Sequence, residues 1–138
     1  MSVTTHRARV VWEGGKEDLR AHRVELGEQS LPGSTMPANG GDESKADPER
    51  LLVAALSSCH MLWFLDFARR ERLRVASYED EAEGTLSGDR FTDAVLRPRV
   101  EWEGEAPDAR TVATLHHRAH EACYIANSVN FPVEVEIS

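Results

Sequence analysis

Residues 47 to 72, DPERLLVAALSSCHMLWFLDFARRER, constrain the fold of this chain more than any other segment. Asp47 can accept a hydrogen bond from an early helical N–H, and Pro48 stands where a helix tolerates a missing donor. Glu49 places a negative charge in the first turn, where the helix dipole favours it. From Leu51 to Phe67 nearly every position is apolar or small, so no polar stripe faces water. A helix apolar all round is expected to be buried on most sides. Arg69, Arg70 and Arg72 close the run with cations, which suit a helix C-terminus. Cys59, one of two cysteines, lies in the middle.

The rest of the chain reads as wrapping for this helix. Its 138 residues suit one domain, 1–138, with its own core. The formal net charge of −8 argues against nucleic acid and anionic membrane as partners. The N-terminus, MSVTTHRARV, lacks the apolar core of a signal peptide, and the run 51–65 is short and interrupted for a membrane span. The expected location is the cytoplasm, where two cysteines are reactive, metal-binding or inert more often than permanently bonded.

Residues 6 to 13 alternate as a half-buried strand with His6, Ala8, Val10 and Trp12 on one face. Gly14-Gly15 then signals a turn, and 19–26 a returning strand. Gly27 to Ala46 reads as a loop whose tip lies over the start of the central helix. After the helix, 75–86 and 91–102 read as two long strands of a hairpin, with Glu79, Glu81 and Glu83 on a solvated face and Pro98 at an edge or bulge. A second helix is expected over about 109–123, and a last strand over 131–137. The pattern predicts an α+β fold with a mostly antiparallel sheet packed against helices. The central helix is more apolar than one sheet face requires, which predicts an intertwined homodimer.

Cys59 and Cys123 admit two readings: small buried hydrophobes, or reactive thiols. Ser57, Ser58 and His60 around Cys59 are unusual at such depth and need partners. Glu49 is either a plain first-turn carboxylate or part of a site with Cys59. Ten residues of helix separate the two by about 15 Å, so a shared site would be built from two chains. His116 and His120, with Cys123 one turn on, could chelate a metal, although a polar helix face beside solvent accounts for them more simply. HHRAH lacks the glutamate of a zinc hydrolase motif.

DPERLLVAALSSCHMLWFL (47–65), SYEDEAEGTL (77–86) and CYIANSVNFPV (123–133) resemble the OsmC/Ohr superfamily, the osmotically inducible and organic hydroperoxide resistance proteins, and the OsmC-like branch most closely. The resemblance covers nearly the whole chain. It implies an intertwined α+β dimer that reduces organic hydroperoxides and hydrogen peroxide with no cofactor. Cys59 would be the peroxidatic nucleophile, Cys123 the resolving thiol, and an external dithiol of lipoyl type the reductant. Glu49 matches the family's glutamate, which holds the arginine that steadies the thiolate. Alignment on GST and DPE puts Gly40 where the OsmC-like branch has that arginine, and the Ohr position is Lys16. Arg20 is the candidate cation and Lys16 the second. The alternative is an OsmC-like binding or redox-sensing protein with little turnover.

Overall fold

A computed structural model describes residues 2–15 and 17–138, which group into two compact units, Met1–Leu51 and Leu52–Ser138. In the first, β1 (Arg9–Val11), β2 (His22–Leu26) and β3 (Gln29–Gly33) form an antiparallel sheet in that order. β3 lies in the stretch expected to be loop. QSLPG has no alternation to reveal it, and its proline is tolerated because the strand is an edge of the sheet. Gly27, at φ +61°, makes the turn that lets Leu26 pair with Gln29. The expected inner face of β1 is not inward: Val10 and Trp12 are 67% and 51% exposed.

The segment after β3 folds back on itself. The Ser34 N–H donates to the Ala46 carbonyl at 2.8 Å, and the Ala46 N–H to that of Pro32 at 3.0 Å. Ser34 Oγ accepts the Asp42 N–H at 3.1 Å. Asp47 then does what its position predicts, accepting the Arg50 N–H at 2.7 Å. The Arg50 side chain reaches the carbonyls of Glu43 and Lys45, which ties the end of the loop, rather than its expected tip, to the first helical turn.

α1 runs Pro48–Arg70. By length and composition alone it could cross a membrane, with a mean hydropathy of 1.6 over 18 residues. Only 28% of that window is buried within the chain, against the expectation of burial on most sides. Leu56, His60, Phe64, Phe67 and Ala68 form the buried stripe, at helical spacing. The helix stops where Arg72 takes a left-handed conformation (φ +61°) and the Leu73 N–H reaches back to the Ala68 carbonyl at 2.9 Å.

The long hairpin is bent into two sheets. β4 (Val75–Asp80) pairs with β7 (Pro98–Trp102), and β5 (Glu83–Ser87) with β6 (Arg90–Leu96). Each expected strand is thus two, broken at 81–82 and at Arg97. Asp80 holds the corner: its carboxylate accepts the Arg97 N–H at 2.6 Å and the Ser57 hydroxyl at 2.5 Å. β8 (Val133–Val135) joins β6 in parallel. α2 (Ala109–Ala122) is capped by Asp108, which accepts the Thr111 N–H at 2.8 Å. One core cluster joins α1 and α2 through Phe64, Phe67, Ala68, Leu115 and Ala119. The other sets Leu56 of α1 on Ala94, Leu96 and Val133 of the β5-β6-β8 sheet.

Candidate thiol site

Burial of Leu56, His60 and Phe64 fixes how α1 is rotated and therefore where Cys59 points. Cys59 is half-buried, Ser58 beside it is exposed, and Ser57 is held by Asp80. Cys123 follows the last turn of α2 and is 1% exposed. Its N–H donates to the His120 carbonyl at 3.4 Å, and its sulfur accepts the Ala126 N–H at 3.4 Å. Both thiols are free. They are also neighbours. Burial pushes the Cys123 thiol up, and the Cys59 sulfur beside it pushes the same way, against the lowering effect of the Ala126 and Ile125 N–H groups. Cys123 is therefore a protonated, shielded thiol set against a more accessible one, an arrangement suited to reversible two-electron thiol chemistry.

One residue along α1 from Cys59 begins a buried pair that apolar periodicity alone does not reveal. His60 Nε2 and His116 Nδ1 are 3.0 Å apart, in rings 1% and 2% exposed. Burial pushes both down to about 4, so both are neutral at neutral pH. His116 also stacks on Phe64, with centroids 4.3 Å apart. His60 Nδ1 and Tyr78 Oη have no partner among the described residues. The signal was present in the sequence: His116 falls between Val112 and Ala119 on the apolar stripe of α2, not opposite it. The simpler reading of His116 as a solvent-facing residue is thus corrected. The metal reading gains no support, since no three His, Cys, Asp or Glu side chains converge on a metal position among the described residues.

The remaining candidates lie in the first unit. Arg20 is fixed at its backbone by Asp18, whose carboxylate accepts the Arg20 and Ala21 N–H groups at 2.9 and 3.0 Å. Its guanidinium stretches over Gly40: the first side-chain carbon of any residue placed there would sit 3.6 Å from Nη2. An arginine from position 20 thus fills the neighbourhood that a side chain from position 40 would occupy. Glu49 is half-buried in the first turn of α1. Among the described residues neither Arg20 nor Glu49 makes an ion pair. Lys16, the second candidate cation, lies outside the described residues.

Taken together, these features define an α+β protein with two adjacent free thiols, one on a long apolar helix and one just beyond a second helix. The OsmC-like protein family matches residues 40–138, and the chain belongs to that family. An OsmC-like protein of unknown function from Vibrio cholerae is 37% identical and superposes with a TM-score of 0.89, covering 99% of this chain and 100% of that one. Two more distant structures share the fold. An organic hydroperoxide resistance protein from Legionella pneumophila is 19% identical, with a TM-score of 0.74 and coverage of 100% and 98%. The organic hydroperoxide resistance protein of Bacillus subtilis is 21% identical, with a TM-score of 0.67 and coverage of 96% and 98%. Comparison with curated proteins finds no match.

Proposed function

We propose that this chain is a thiol-dependent peroxidase that reduces organic hydroperoxides, and hydrogen peroxide, acting as one OsmC-like domain in a cytoplasmic homodimer. The observation that carries the reading is the adjacency of two free thiols in unlike surroundings. Relatives of the same fold described as organic hydroperoxide resistance proteins support it. The Cys59 thiolate attacks one oxygen of the hydroperoxide, the O–O bond breaks, and the leaving alkoxide takes up a proton to depart as an alcohol. Cys59 becomes a sulfenic acid. The Cys123 sulfur then attacks it, the S–O bond breaks, and hydroxide leaves with the thiol proton as water. An external dithiol, of lipoyl type, reduces the resulting disulfide by exchange.

In the dimer, where the site is built from two chains, Arg20 is the cation that steadies the Cys59 thiolate, and Glu49 comes to hold it. Its guanidinium beside Gly40 favours this over the reading of a binding or sensing protein that has lost turnover. The second copy covers the apolar surface that α1 leaves exposed, including Leu62 at 59% exposure. The test is peroxide turnover with a dihydrolipoamide-coupled assay in three proteins. Wild type should turn over, Cys59→Ser should be inactive, and Cys123→Ser should consume one equivalent of peroxide and stall. Full activity in Cys59→Ser would overturn the mechanism.

A further inference from the structure

The same two elements, α1 and the α2 segment that ends in Cys123, meet twice: at His60 with His116 and at Cys59 with Cys123. His60 directly follows Cys59. His116 precedes Cys123 by seven residues, two helical turns, which returns it to the same face of α2. Apolar contacts between helices can slide by fractions of an ångström at little cost. A hydrogen bond between two neutral imidazoles cannot, because one ring must donate and the other accept at one distance. Sliding would strand ring nitrogens in the core, where an unmet polar group is costly.

The pair is also a poor choice for packing alone. His116 stacks on Phe64 of the apolar α1–α2 core, and an aromatic or aliphatic side chain would fill the space without leaving His60 Nδ1 unpartnered. Disulfide formation, by contrast, is sensitive to register: the Cβ atoms must approach to about 3.5–4.5 Å, and one residue of helix advance is about 1.5 Å.

We propose that His60 and His116 are positioning residues: their hydrogen bond sets the register of α1 on α2 in which Cys59 and Cys123 can bond. The inference rests on the proposed function only in that it takes the two thiols to form a disulfide. The bonding step converts two thiols and an oxidant into one S–S bond. With oxidised glutathione as that oxidant, two exchange steps pass two electrons to glutathione and release two molecules of its thiol.

The equilibrium of the Cys59–Cys123 couple in glutathione redox buffers tests this without any peroxide. His116→Phe keeps a ring but removes the hydrogen bond, and it should lower the equilibrium constant for disulfide formation by about tenfold or more. His116→Asn and His60→Gln each restore one amide partner at the position of the lost nitrogen, and they should hold the constant within about threefold of wild type. Leu96→Val, a core change in the other cluster, controls for stability loss and should leave the constant unchanged. Retention of the wild-type constant in His116→Phe would overturn the proposal. So would a loss in His116→Asn equal to that in His116→Phe, since that would make the effect one of packing. A wild type that forms no Cys59–Cys123 disulfide in these buffers would overturn it too. Absence of peroxidase activity with a normal disulfide equilibrium would contradict the proposed function and leave this inference standing.

Discussion

Cys59 and Cys123 differ by their surroundings, and those surroundings order their reactivity. The buried thiol is pushed up and stays protonated at neutral pH, whereas Cys59 is only partly buried. Brief treatment of the reduced protein with iodoacetamide at pH 7 should therefore label Cys59 before Cys123, read by peptide mass mapping; equal labelling would deny the distinction. Arg20→Gln should slow Cys59 oxidation by about 10- to 100-fold, the worth of a charge-assisted contact of about 1.5–3 kcal/mol. Gly40→Arg in that background should recover part of the rate, because a side chain from 40 enters the space the Arg20 guanidinium occupied. An unchanged rate in Arg20→Gln, followed by stopped-flow, would remove Arg20 from the site. Both cysteines were visible in the sequence through the motifs around them. The partnership of Arg20 with Gly40 was not, because it joins two loops that no periodicity relates.

At the scale of elements, the His60–His116 pair couples the α1–α2 contact to acid. Burial lowers His60 most, neighbouring His116 and His120 lower it further, and the Asp80 carboxylate opposes them; burial alone lowers His116. Both rings drop from 6.5 to about 4 on folding, so between those values the unfolded chain binds more protons. Their contribution is complete above pH 6.5 and is lost as pH falls toward 4. At about 1.4 kcal/mol per pH unit, the first proton on the pair costs on the order of 3 kcal/mol. Urea melts at pH 7 and pH 5 should show that loss in wild type and much less of it in His60→Phe/His116→Phe; parallel losses in both proteins would refute the assignment. Phe64→Ala should cost about 3–5 kcal/mol, because Phe64 is fully buried where α1 meets α2.

The helices were legible because their apolar patterns and the Asp47 cap of α1 are local signals; the Asp108 cap of α2 emerged only in the structure. The corner in the long hairpin was not. Tyr78 and Ala82 keep the strand period on either side of Asp80, and the break is imposed by Asp80 bonding to Arg97 and Ser57, residues distant in sequence. β3 escaped notice for a different reason, since an edge strand can carry Pro32 and Gly33 and lose little.

For the whole molecule, the excess apolarity of α1 was plain in the sequence. In the proposed dimer a second copy covers it. A second copy predicts that the protein sediments as a dimer and that Leu62→Glu, placing a charge on the exposed face, shifts it toward monomer. A monomeric wild type would contradict the two-chain site as well, since Glu49 and Cys59 lie ten residues apart on one helix.

The most direct measurement of the central claim is stopped-flow oxidation of the reduced protein by cumene hydroperoxide, with Cys59→Ser alongside. Thiol oxidation should run orders of magnitude faster than that of a free cysteine, be absent in Cys59→Ser and end in a Cys59–Cys123 disulfide. Oxidation at the rate of a free thiol would contradict it and leave an OsmC-family protein that binds or senses without turning over.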